Sequence, residues 1–173
     1  MIKLLSEANN GLEIIEECYE FKSLKKSRYI PQVGDIFVMQ LPDTHYLFGR
    51  VINVNASPLG VGGAILIYIY DIQMNTLYPI PCLIDNRLLI PPMMTNRLPW
   101  TKGYFMHLEH RILNEKETLE QHCFWDNIRN CYRDEYGNKI KKHIEPVGVW
   151  GLDSYRTIDD AISEALGIPL ASD

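Results

Sequence analysis

Hydrophobic residues recur every second position through much of the chain, and every third to fourth position only near its end. Residues 64–72 are the plainest case of the shorter period. Ile65, Ile67 and Ile69 fall on one side, and Leu66, Tyr68 and Tyr70 on the other. β-Branched and aromatic residues on both sides predict a strand buried on both faces. Residues 36–41 are likewise apolar on both sides, with Gly34 and Asp35 leading into them. Leu41-Pro-Asp-Thr-His45 predicts a hairpin loop, in which Pro42 presets φ and Asp43 bonds its own backbone. Residues 46–54 follow as the return strand. Alternation puts Tyr46, Phe48, Ile52 and Val54 on one face with Arg50 among them, and Leu47 and Val51 on the other.

Elsewhere the pattern is weaker. Residues 55–63 hold Pro58 and the glycines of Gly60-Val-Gly-Gly63, which predicts a connection. Pro79, Pro81, Pro91 and Pro92 leave room only for short strands, such as one around residues 87–90. Residues 102–109 alternate again, with Tyr104, Met106 and Leu108 on one face. Between 110 and 133 the signal is ambiguous: Phe124, Ile128 and Tyr132 recur at helical spacing, but Asn127 and Asn130 disfavour a helix. Residues 133–138 read as a turn and 147–152 as a short strand. Residues 12–21 fit neither period, because Glu13/Glu17 and Glu16/Glu20 would repel on a helix.

The helical period is clear only at the end. Ile158, Ala161, Ile162, Ala165 and Leu166 form one stripe, and Gly167 and Pro169 stop it. Thr157, with Asp160 three residues on, predicts the N-cap. The fold expected is α+β: a mainly antiparallel, strongly curved sheet, SH3-like or a partly open barrel, with the C-terminal helix laying Ile158, Ile162 and Leu166 against it. Residues 1–30 form an N-terminal extension, and 31–173 a single β-rich domain.

Charge narrows the partners. Asp and Glu number 22 against 17 Lys and Arg, a net charge of −5. Lys25-Lys26 and Lys139, Lys141 and Lys142 are too few to make the basic field that phosphate neutralisation requires, so no nucleic-acid partner is expected. The longest apolar run, residues 64–70, is far short of the roughly 20 residues of a membrane span. Residues 1–10 lack the basic start and apolar stretch of a secretory signal. Cys18, Cys82, Cys123 and Cys131 form no C-x-x-C pair, which suits reduced cysteines in a cytoplasmic protein.

Candidate chemistry is sparse. His107-Leu-Glu-His110 lacks the convergent spacing of a zinc site, since alternation turns His110 away from His107 and Glu109. His122, Cys123, Cys131 and His143 have no known ligand spacing, and nothing holds a base beside either thiol. Gly60-Val-Gly-Gly63 precedes a strand and lacks the Lys-Ser/Thr of a phosphate-binding loop. No metal, cofactor or catalytic residue is therefore expected. Asp134 and Glu135 are adjacent acids in a turn. Arg97, Trp100 and Tyr104 sit beside the proline-rich break and are of the types enriched at interface centres, although Trp100 equally suits a core.

Several short motifs carry a resemblance. Val33-Gly-Asp-Ile-Phe37, Phe48-Gly-Arg-Val51, Tyr70-Asp-Ile72, Pro91-Pro92 followed by Trp100 and Gly103-Tyr-Phe105, and Gly148-Val-Trp150 with the terminal helix resemble the Imm26 family. These are immunity proteins of bacterial polymorphic toxin systems, and the similarity spans about residues 31–167. The resemblance implies a cytoplasmic antidote that binds a cognate toxin domain and inhibits it by occlusion, without catalysis. An acidic inhibitor suits a basic toxin such as a nuclease. Arg97, Trp100, Tyr104, Asp134 and Glu135 are the candidate partner-binding residues, and the oligomeric state is left open. Two other readings stand beside it: a metal-dependent hydrolase, because some members carry a phosphotriesterase label, and an SH3-like module that binds a peptide or small ligand.

Overall fold

A computed structural model describes residues 21–83 and 87–170. The larger sheet has five antiparallel strands in the order β4-β3-β2-β1-β5. These are β1 (Asp35–Gln40), β2 (Tyr46–Ala56), β3 (Ala64–Met74), β4 (Met93–Thr95) and β5 (Met106–His110). The smaller sheet has the order β8-β7-β6-β9. It comprises β6 (Cys123–Asp126), β7 (Cys131–Arg133), β8 (Lys139–Ile140) and β9 (Val147–Val149), with β9 parallel to β6. A short helix α1 (Leu98–Lys102) precedes β5, and α2 (Tyr155–Leu166) ends the described chain. The fold is α+β, with two antiparallel-rich sheets and a C-terminal helix, and the described strands do not close into a barrel.

The two-sided apolar pattern has a direct cause: the larger sheet is covered on both faces. Phe37, Met39, Leu47, Val51, Ile65, Ile67 and Ile69 share one core with Ile158 and Ile162 of α2, and Leu166 packs against it. Ile36, Val38, Phe48, Ile52, Leu66, Tyr68 and Tyr70 share the other with Phe124 and Trp150 from the smaller sheet. The expected faces of β3 and the expected seat of the helix stripe are both met. Val54 is a correction. It joins the helix-side core, not the face of Phe48 and Ile52, because the β2–β3 register shifts on either side of Asn53.

The hairpin loop forms as expected, with the His45 N–H donating to Asp43 Oδ1 at 3.0 Å. Other expectations fail where pairing with distant segments overrides local pattern. Residues 87–90 make only an isolated bridge, Tyr70 to Leu88, and the strand forms at Met93–Thr95 instead. The alternation of 102–109 does not start a strand until Met106. Before it, Pro99 opens α1, Gly103 closes it at φ 89°, and the Tyr104 and Phe105 N–H groups both donate to the Pro99 carbonyl. Phe124 and Tyr132, helical in spacing, lie on the paired strands β6 and β7. The helix α2 begins three residues before the expected start. Its N-cap is Ser154, whose Oγ accepts the Thr157 N–H at 3.1 Å, while Gly167 ends it at φ 69° as expected.

Residues 21–30 lie across this framework. Phe21 is buried in the helix-side core, the Leu24 N–H donates to the Gly103 carbonyl, and the Ser27 N–H to that of Trp100. A Cβ on Gly103 would stand 2.9 Å from both Lys26 N and Ser23 Oγ, so glycine there serves this crossing as well as the helix end. Residues 12–20 lie outside the described residues, as does Cys18. Cys82, Cys123 and Cys131 are free thiols.

Candidate partner-binding cleft

A cleft of about 840 Å³ opens where the turn after β7 meets the segment before β6. Ile52 and Asn53 of β2 form its floor, residues 118–122 one wall, and residues 134–136 the other, with Lys142 and Ile144 beside them. Among the described residues, Glu120, Asp134 and Glu135 face it against a single lysine, Lys142, and no arginine.

The wall at 134–136 is built by Asp134. Its Oδ1 accepts the N–H groups of Tyr136 at 2.9 Å and Asn138 at 2.8 Å, and its Oδ2 accepts the Asn138 amide at 2.9 Å. Gly137 supplies the left-handed residue at φ 93° that closes the turn. Asn53 then ties the turn to β2 by donating to the Tyr136 hydroxyl at 2.7 Å.

The opposite wall is held through a buried polar chain. Tyr68 projects from β3, and its hydroxyl accepts the Leu119 N–H at 3.0 Å and lies 2.6 Å from His122 Nε2. His122 Nδ1 lies 3.0 Å from Glu135 Oε1. A carboxylate only accepts, so Nδ1 carries the proton, and in the neutral ring Nε2 accepts from Tyr68. Tyr68 and His122 are buried, and both ring nitrogens are committed within the chain. His122 and Glu135 both line the cleft, and Glu135 stands at the open end of the chain. The chain therefore fixes the two walls relative to each other and presents an oriented carboxylate to whatever enters.

A second clamp holds the approach to this wall. Arg50 is buried in β2 and donates to Glu117 Oε1 at 2.6 Å and to the carbonyls of Arg111 and Ile112 at 3.3 Å each. Burial raises the Glu117 carboxyl, but the Asn114 backbone N–H and Arg50 more than reverse this and leave it below the ordinary glutamate range. Across the smaller sheet, the Arg133 guanidinium holds the Asp126 carboxyl down at about 2, against the opposing effect of burial.

The five candidate residues do not converge. Asp134 and Glu135 line the cleft. Arg97 is exposed just before α1. Trp100 is 1% exposed and Tyr104 9%, both within the helix-side core, where Trp100 meets Phe37 and Phe105 edge-on and Tyr104 stacks on Tyr155. Glu120 and Tyr68 are not among the residues that the sequence singles out for a site, and His122 stands out there only beside Cys123, Cys131 and His143. Tyr68 and His122 are 54 residues apart and read locally as strand-core and loop residues. Arg50 also leaves a trace, as a charge inside an apolar strand.

The histidines of His107-Leu-Glu-His110 do not diverge as alternation suggests. A register shift between Ile36 and Phe37 turns both toward the buried Asp35, His110 Nδ1 at 2.9 Å and His107 Nδ1 at 3.8 Å. Tyr29 stacks on His107 with ring centres 4.4 Å apart. Burial and the neighbouring Asp35 push its hydroxyl up to about 12. Among the described residues no group of three His, Cys, Asp or Glu side chains is placed to hold a metal ion, and no helix is long and apolar enough to cross a membrane.

A family model described as Immunity protein 26 matches residues 32–134, well over half of the 173 residues. The matched stretch runs from the approach to β1 through β7 to Asp134; it includes Arg50, Tyr68, Glu117 and His122 and stops just before Glu135 and Tyr136 of the cleft wall. No curated protein and no solved structure matches the chain. The chain belongs to the Immunity protein 26 (Imm26) family.

Proposed function

We propose that this immunity protein binds a cognate toxin domain in the cytoplasm and neutralises it by occlusion, without catalysis, and that the cleft faced by Glu120, Asp134 and Glu135 is part of the bound surface. The observation that carries this reading is the cleft's construction. It sets three acids against one lysine on walls cross-tied by Tyr68, His122 and Asn53. A preformed acidic surface accepts a basic segment with little ordering cost, which favours a basic toxin such as a nuclease. In this reading Arg97 belongs to a separate exposed edge, while Trp100 and Tyr104 pack in the helix-side core and take no part in the contact.

The test is co-expression and pull-down with the toxin encoded beside this gene, followed by binding kinetics. Glu120 is exposed and sits at the rim of the cleft. Glu120→Lys should slow association about tenfold and weaken its salt dependence while leaving the fold intact. A toxin that binds and is inhibited equally well by Glu120→Lys places the interface elsewhere. Failure to bind or protect against the adjacent toxin removes the reading altogether.

A further inference from the structure

A second cleft, about 550 Å³, lies between α2, the start of β4 and β9. Its walls are apolar: Pro91, Pro92 and Met93 on one side, Val149 and Ala161 on the others. Asp153 lies within it, 8% exposed. Its backbone is pinned on both sides, its N–H donating to the Met94 carbonyl at 2.7 Å and its carbonyl accepting the Thr95 hydroxyl at 2.8 Å. No other described side chain hydrogen-bonds or ion-pairs with its carboxyl. Among the described residues, Glu164 is the one other titratable residue lining the cleft, and no base lines it.

A buried carboxyl in apolar walls is costly unless something pairs with it. We infer that this cleft is a receptor for a lysine side chain presented by a partner polypeptide, with the methylene stem along Pro92, Met93 and Ala161 and the ammonium on Asp153. Lysine fits better than arginine because a guanidinium brings five N–H donors, and these walls offer few acceptors beyond Asp153 and Glu164. The site stands independently of the acid-lined cleft and needs no toxin for its test. Burial pushes the Asp153 carboxyl up to about 7, with the Met94 backbone opposing it. Glu164 on α2 is exposed, and the segments contributed by residues 89–93 and 147–149 bring no titratable group to the cleft. The carboxylate that a cation needs is thus populated as pH rises through about 7, while the lysine ammonium stays charged.

The experiment titrates the intact protein with Nα-acetyl-lysine N-methylamide and with its uncharged norleucine counterpart, following amide NMR shifts. The lysine derivative should shift Met93, Val149, Asp153 and Ala161 saturably, more tightly as pH rises through about 7, and the norleucine derivative should not. Asp153→Asn should weaken binding about tenfold or more, by loss of a charge-assisted pair. Ala161→Phe, which narrows the cleft without touching the carboxyl, should also abolish the shifts and guards against misfolding of the first variant. Equal response to both probes, no response at these residues, or binding unchanged in both variants would overturn the inference.

Discussion

The two faces of the larger sheet are covered by different means. On the helix side, α2 and α1 press Ile158, Ile162, Trp100 and Phe105 onto Phe37, Ile65 and Ile67, and the polar residues that α2 buries are Asp159 and Ser163. On the other side the smaller sheet adds Phe124 and Trp150, but the loops around it are tied down by polar groups buried within or beside the core: Arg50, Tyr68, His122 and Asp126. The helix face holds by shape and area. The other face holds by specific pairs that join segments far apart in sequence, 67 residues for Arg50 and Glu117 and 54 for Tyr68 and His122. An apolar face tolerates neighbours of similar volume, whereas a polar one fixes a single arrangement and fails when half a pair is lost. It is on the polar side that the acid-lined cleft opens, where fixed geometry serves recognition.

The largest effect should come from putting a charge into the apolar face. Ile162 is fully buried in the helix-side core. Ile162→Asp should destabilise the protein by about 4 kcal/mol or more, since an unpaired carboxylate would replace buried methyl groups. Thermal unfolding followed by circular dichroism measures it. An unchanged melting temperature would mean that α2 is not seated as described.

A smaller and asymmetric effect should mark the polar face. Glu117→Gln leaves the Arg50 guanidinium buried without its counter-charge, and should cost about 2 kcal/mol; the part-exposed position of Glu117 holds it below the full cost of breaking a buried pair. Arg50→Met replaces the buried charge by an apolar side chain of similar length and leaves Glu117 to water and Asn114, so it should stay within about 1 kcal/mol of the parent. Denaturant unfolding of both variants decides the matter. Equal losses would show that Arg50 is held by shape, as on the helix side, and that the contrast between the faces is not one of charge.

The same contrast explains how much could be read from the chain. The helix face was legible because its information is local. Ile65, Ile67 and Ile69 on one strand and Ile158, Ile162 and Leu166 on one helix each declare a face by spacing alone. The hairpin at Pro42-Asp43 was legible for the same reason. Short strands such as β4, β6 and β7 were not, because three or four residues give no period and their pairing partners are remote. Of the candidate site, Asp134 and Glu135 were visible only as acids in a turn. That Glu135 meets His122 depends on the turn after β7 crossing the segment before β6. Val54 shows the limit within a well-read strand: register shifts on either side of Asn53 move it to the opposite face without any change in sequence pattern.

The smallest effect tests the corrected start of α2. The helix stripe alone fixes the face but not the first turn, so Thr157 and Ser154 compete as N-cap. Thr157 has the acidic residue three positions on that a capping box needs, in Asp160. In the structure the first turn begins earlier, which brings Tyr155 onto Tyr104 with ring centres 5.3 Å apart, and the Thr157 N–H becomes a donor to Ser154 Oγ. That aromatic contact and the extra turn outweigh the local signal at Thr157. Ser154→Ala should therefore cost about 1 kcal/mol, by leaving the Thr157 N–H without its acceptor. Thr157→Ala, on an exposed helical position, should cost less than about 0.5 kcal/mol. The two are compared by denaturant midpoint at equal slope. A larger loss at Thr157 than at Ser154 would move the helix start back to the place that the sequence pattern first suggests.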